Sequence, residues 1–204
     1  FKRSRIIGRR FKLVHIMFSA RKFIEVATFR SSRSNPTSNK GMVLRDNFYG
    51  SLKDDVFRRD FTINGLYFDV KNSQVIDYVG GLEDLKKLQI NMIGNPSERF
   101  EEDPVRMIRA VRFKAKLNAT INSKLNNSIS KNAHLIANVP PARLYEEVIK
   151  LFHNESSLVV FRELSNLGIL KYLFPYTQED AFISASLINT SERIKTGNSV
   201  TPAF

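Results

Sequence analysis

Cysteine is absent from the 204 residues, so neither a disulfide nor a thiolate-bound metal is available to this chain. That absence suits a reducing compartment, and a cytoplasmic location is the expectation. Histidine is scarce: His15, His134 and His153 are too scattered for a histidine-based zinc site. No apolar run approaches the ~18 residues of a membrane span, and no signal-peptide pattern is visible. Internal repeats and low-complexity tracts are missing too. Acidic residues are in the minority, with 20 Asp and Glu against 32 Lys and Arg and a net charge of +12. A field of that sign attracts polyanions, and nucleic acid is the leading candidate.

A hydrophobic fraction of 42% allows an ordinary buried core. Residues 11–18 and 23–29 are short and rich in β-branched and aromatic residues, which predicts two strands joined by a turn at 19–22. On the second strand, period two places Phe23, Glu25, Ala27 and Phe29 on one face. A carboxylate in that row is either paired, for instance with an arginine of the same sheet, or functional. Residues 31–41 are Ser-, Asn-, Pro- and Gly-rich and read as a loop. Ser51 is expected to start a helix, and Asp60 to cap a short helix over residues 61–65. Residues 74–93 read as strand, Gly80-Gly81 turn, short helix and strand. From Asn95-Pro96 onward the pattern becomes helical. Asp103-Pro104 reads as N-cap and first turn, with Met107, Ile108, Val111 and Ala115 behind it at helical spacing. Val139-Pro140-Pro141 marks a break. Helices are expected from Arg143 to His153, from Ser157 to Leu167 and from Gln178 to Arg193. The fold class is therefore α+β, an α/β part to about residue 95 followed by helices.

Three clusters carry candidate chemistry: Glu25 followed by Arg30, the run Arg58-Arg59-Asp60, and residues 99–113 with Glu102, Asp103, Arg106, Arg109 and Arg112. Arginines near a helix N-terminus work against its partial positive charge. An anionic ligand such as a triphosphate would offset that penalty. The plainer alternative is a solvated face on which Glu101 and Glu102 neutralise the arginines.

Together, FRRDFTING (57–65), DYVGGLEDL (77–85) and RFEEDPVRMIRAVRF (99–113) resemble the class II tRNA nucleotidyltransferase and bacterial poly(A) polymerase family. The resemblance continues through VPPARLYEEVIKLF (139–152) and LFPY (173–176). Residues 6–18, 24–30 and 41–50 are similar to its poly(A) polymerase branch. This implies a partial polymerase-β-like nucleotidyltransferase α/β head over 1–95, an all-helical neck over 96–155 that binds nucleotide and RNA, and the start of a helical body over 156–204. It also implies AMP transfer from ATP to RNA 3′ ends with Mg²⁺. In that scheme Glu25 is a catalytic metal carboxylate. Arg58, Arg59 and Asp60 belong to the segment that contacts the ribose and phosphates, and Arg30 and Asn64 also bind the nucleotide. Asp103 and Arg106 are the base-reading pair, Glu102 beside them binds the nucleotide, Arg109 contacts the triphosphate, and Arg112 either contacts it too or braces the helix.

Two departures stand out against the family. Its Gly-Gly segment and Asp-x-Asp metal pair are expected upstream of the first strand and lie outside these residues. The chain is therefore expected to be a fragment, inactive alone. Gly65 stands where the family usually has Ala. A carboxylate–arginine pair suits adenine and cytosine alike, because both offer an amino donor beside a ring acceptor. A CCA-adding enzyme and a non-catalytic RNA-binding relative thus remain open alternatives.

Overall fold

The computed structural model describes residues 3–7, 13–19, 22–31 and 48–201. The chain divides into two compact units, 1–59 and 60–204. Most of the expected 31–41 loop and most of the 41–50 segment fall outside the described residues.

In the first unit, β1 (Ser4–Ile7), β2 (Leu13–Met17) and β3 (Phe23–Ala27) form an antiparallel sheet in the order β1-β2-β3. The expected hairpin is present, with the Phe18 and Ser19 amides donating to the Lys22 carbonyl at 2.9 and 3.2 Å. Cross-strand register aligns Arg5, His15 and Glu25 in one row. The opposite face carries Ile6, Val14, Ile16, Ile24 and Val26, of which Ile6, Ile24 and Val26 are exposed. β4 (Arg30–Ser31) pairs antiparallel with β5 (Phe48–Tyr49). Ser51 then caps α1 (Leu52–Phe57) as the sequence predicts. Its hydroxyl accepts from the Asp54 amide at 3.2 Å, and Asp54 accepts the Ser51 amide at 2.8 Å. A reciprocal box of this kind satisfies two otherwise orphaned donors.

The second unit opens with a 3₁₀ turn, Thr62–Asn64. Here the expectation is corrected: Phe61, not Asp60, occupies the N-cap position, while the Asp60 carboxylate bonds the turn through one oxygen and Arg109 through the other. β6 (Leu66–Asp69) and β7 (Gln74–Asp77) form an antiparallel hairpin. At its end the Asp77 carboxylate accepts the amides of Val79, Gly80, Gly81 and Leu82. Those donors outweigh burial and hold Asp77 below the ordinary carboxylate range. Gly80, at φ +76°, starts α2 (Gly81–Lys86), and β8 (Gln89–Ile90) follows. Gly81 is required by close approach, because a Cβ there would overlap the Thr62 carbonyl oxygen and lie 2.9 Å from its carbon. Gly81→Ala should therefore cost about 1–3 kcal/mol of stability, read as a lower denaturant midpoint at unchanged slope. An unchanged midpoint would show that the turn yields freely. Gly65 ends the 3₁₀ turn instead of lying inside a helix, and a methyl there would meet Val79 Cγ2 at 2.8 Å.

Helices dominate the remainder. They are α3 (Pro96–Glu102), α4 (Val105–Leu117), α5 (Ser123–Asn132), a 3₁₀ segment (Ala133–Asn138), α6 (Pro141–Phe152), α7 (Ser157–Asn166), α8 (Leu170–Leu173) and α9 (Ala181–Lys195). One strand interrupts the all-helical expectation: β9 (Thr120–Ile121) pairs parallel with β8. α4 is central, with α3, α6, α7 and the β8–β9 pair packed against it. Its expected apolar face is realised, since Met107, Ile108 and Val111 are buried with Phe61, Phe100, Leu125, Ile129, Leu151 and Leu164. Asp103 closes α3, and Pro104 takes the N-cap position of α4. The Asp103 carboxylate still accepts the Val105 amide at 3.2 Å, as a capping side chain does. No helix among the described residues is long and apolar enough to cross a membrane.

Candidate functional site

Within the first unit the candidate residues form two groups. Glu25 is exposed on the sheet, and its Oε1 lies 2.9 Å from His15 Nε2 on the adjacent strand. Among the described residues its partner is this histidine, where the sequence suggests an arginine of the same sheet. His15 also stacks on Phe23 at a centroid distance of 4.2 Å. The second group centres on Asp55, which sequence reading did not single out. Its buried carboxylate accepts Arg58 Nε at 2.8 Å, Arg59 Nε at 3.2 Å and the Arg30 backbone amide at 3.1 Å. Spacings of three and four residues place both arginines beside Asp55 on a helical turn. That spacing was the available signal.

Asp60 and Asn64 lie in the second unit. Asp60 Oδ2 accepts Arg109 Nε and Nη2, each at 2.6 Å. Its Oδ1 accepts the Phe61 amide at 2.9 Å and Asn64 Nδ2 at 3.0 Å. Burial alone would raise this carboxyl, but the Arg109 charge and these donors outweigh it and hold Asp60 below the ordinary aspartate range. The Arg109 and Arg112 guanidiniums stand 5.6 and 5.0 Å from the Phe113 ring centroid, and Phe113 meets Phe61 edge-on.

The end of α3 and the start of α4 hold the remaining candidates. Glu102 Oε2 accepts Arg99 Nη1 and Arg106 Nη1, both at 2.7 Å, and Arg106 also donates to the Arg99 carbonyl. Two like charges thus share one carboxylate oxygen. Burial, followed by the Arg106 charge, pulls the Arg99 pKa down against the opposing pull of Glu102 and Asp60. Asp103 Oδ2 accepts Arg143 Nη2 from α6 at 2.7 Å. Arg112 Nε lies 3.8 Å from Glu147 Oε2, and Glu147 also holds Lys150 at 2.9 Å. Of the two glutamates weighed as neutralising partners, Glu102 plays that part. No group of three or more metal-ligating side chains occurs among the described residues.

This pattern of arginine–carboxylate pairs on the neighbouring helices α3, α4 and α6 coincides with the recognised motifs. A model of the poly A polymerase head domain matches residues 1–91, and one of the probable RNA and SrmB-binding site of polymerase A matches residues 118–180. Poly(A) polymerase I of Salmonella typhi is 43% identical over 222 aligned residues, covering the whole chain and 48% of that protein. The chain belongs to the bacterial poly(A) polymerase family. It spans about half the length of the curated poly(A) polymerases it matches. A CCA-adding enzyme of Limosilactobacillus reuteri is 39% identical over 141 residues, covering 69% of this chain and 35% of that protein. Among solved structures, the Bacillus stearothermophilus CCA-adding enzyme in complex with CTP superimposes with a TM-score of 0.69 at 28% identity. That match covers 92% of this chain and 43% of the enzyme.

Proposed function

We propose that the full-length protein containing this chain transfers AMP from ATP to RNA 3′ ends without a template, as a cytoplasmic polyadenylation enzyme of RNA processing and decay. The observation that carries this reading is the similarity to poly(A) polymerase I along the entire chain, where the CCA-adding relative aligns over 69% of it. In this reading the head covers 1–95, the neck 96–155 and the start of the body 156–204.

The RNA 3′-hydroxyl oxygen attacks the α-phosphorus, one P–O bond forms, and the bond to pyrophosphate breaks. The 3′-hydroxyl proton passes to water, and pyrophosphate departs as the leaving group. Most of the catalysis is then positioning and electrostatics. Asp103 and Arg106 present an acceptor and a donor to the base edge. Glu102 holds Arg106 in place, and Arg143 holds Asp103. Arg58 and Arg59 meet the phosphates and ribose, with Arg30, Asp60 and Asn64 in the supporting segments. Arg109 meets the triphosphate through the orientation that Asp60 gives it. Arg112 braces α4 against Glu147 of α6.

Mg²⁺ fits this chain in part. Glu25 offers one exposed oxygen donor of the hard type that the ion accepts, and Mg²⁺ ordinarily adds waters and substrate phosphates to a few carboxylates. One carboxylate cannot hold the ion alone, so the other ligands would come from outside the described residues. When bound, Mg²⁺ supplies charge neutralisation at the triphosphate and activation of the attacking hydroxyl.

The test is an RNA 3′-extension assay on the full-length protein with each nucleotide separately. Long tails from ATP alone are expected. Short additions that require CTP would replace this reading with CCA addition, which the CTP-bound structural relative keeps as the second candidate. Absence of extension with every nucleotide would leave a non-catalytic RNA-binding relative.

A further inference from the structure

We infer that Asp55 is a positioning residue for the nucleotide-binding arginine pair Arg58–Arg59. The inference rests on the reading above that this pair meets the nucleotide. Asp55 is 3% exposed, the least accessible charged residue of its unit among those described. Its two oxygens divide the work. Oδ1 takes the Arg58 edge, Nε at 2.8 Å and Nη2 at 2.6 Å, together with the Arg30 backbone amide at 3.1 Å. Oδ2 takes the Arg59 edge, Nε at 3.2 Å and Nη2 at 3.1 Å.

Each arginine therefore directs one edge, Nε and Nη2, at a single carboxylate oxygen, which fixes the position of its charge and keeps that oxygen in the guanidinium plane. A solvent-exposed carboxylate would fix neither, because its rotamers and hydration compete with the grip. The third donor matters equally. By accepting the Arg30 amide, Asp55 ties β4 to the last turn of α1, so its own carboxylate cannot rotate without breaking that hydrogen bond. Two like-charged side chains that would otherwise diverge are held side by side on a fixed anchor. A triphosphate binds best to donors ordered before it arrives, because the ordering entropy is then already spent. A helix-end brace alone would use one arginine and would not need the strand.

The test compares full-length wild type, Asp55→Asn, the double variant Arg58→Gln/Arg59→Gln, and the triple combination, measuring kcat and KM for ATP with thermal melting beside them. Asparagine keeps the shape and an acceptor for the Arg30 amide but removes the charge that grips the guanidiniums. Asp55→Asn is expected to lower kcat/KM by about 10- to 100-fold at temperatures well below its melting point. The triple variant should be no worse than the double, since what Asp55→Asn removes is the charge that acts through the arginines. Wild-type kcat/KM in folded Asp55→Asn overturns the positioning role alone. A further loss in the triple variant does the same. Wild-type kcat/KM in the double variant overturns the nucleotide-contact reading of the pair and the positioning role with it. Should Asp55→Asn fail to accumulate, Asp55→Glu carries the same comparison by displacing the charge one methylene. A wild-type kcat/KM there would overturn the proposal.

Discussion

Replacing Arg109 with Met should destabilise the 60–204 unit by roughly 3 kcal/mol, because it strands a buried carboxylate. Asp60 is 8% exposed, and Arg109 supplies its counter-charge through two donors at 2.6 Å. The pH dependence should reverse as well. In the wild type the folded Asp60 pKa is depressed. Its contribution is complete above the unfolded value near ~3.9 and is lost as pH falls through the depressed folded value. Without Arg109, burial becomes the dominant influence and pushes the folded pKa above the unfolded one. The variant should then gain stability as pH falls from neutrality toward ~4, over a range where this group leaves the wild type flat. Urea titrations at several pH values, with Asp60→Asn in the Arg109→Met background, separate this group from the rest. That second change should recover part of the loss, since it removes the stranded charge. If Arg109→Met melts like wild type and shows the same pH profile, the pair does not anchor the 3₁₀ turn to α4.

Glu25→Gln in the full-length protein should lower AMP incorporation by ~100-fold or more. A metal-held carboxylate contributes several kcal/mol of transition-state stabilisation, and each 1.4 kcal/mol is about tenfold in rate. The substitution keeps the shape of the side chain and a hydrogen-bond acceptor for His15, so the sheet should fold and melt as before. Single-turnover extension with ATP at rising Mg²⁺ is the measurement. Rates within a few-fold of wild type at every Mg²⁺ concentration would remove Glu25 from the metal site and leave it a cross-strand partner of His15.

Legibility followed the range of each interaction. The hairpin β2–β3, the Ser51 cap and the buried stripe of α4 are set by neighbours within a few residues, and all three are readable from period and capping chemistry. α5 lies in the stretch that reads as helical from Asn95-Pro96 onward, but SKLNNSISKN offers only Leu125 and Ile129 as apolar core residues, so the pattern does not mark its ends. β9 was missed because two residues in a helical region pair with Gln89–Ile90, far upstream. Asp60 was misread because an acidic residue before a short helix suggests a cap. Its Oδ2 instead reaches Arg109, 49 residues on. The candidate site divides in the same way. Residue types and order identify its members, but their partners are not local. Arg143 meets Asp103 across 40 residues, and no sequence period announces that pair. Asp55 is the exception, lying within a helical turn of the arginines it grips.

The sheet face bearing Ile6, Ile24 and Val26 has a colloidal consequence. Aliphatic side chains exposed beside sheet edges attract one another at contact range. The net charge of +12 repels copies of the chain at longer range. Dilute salt leaves the repulsion extending over tens of ångströms, while about 0.1 M shortens it to roughly 10 Å. Counter-ions and short polyanions therefore do more than occupy basic residues: by erasing the repulsion they let the aliphatic faces meet, so conditions that quiet the charge also favour clustering.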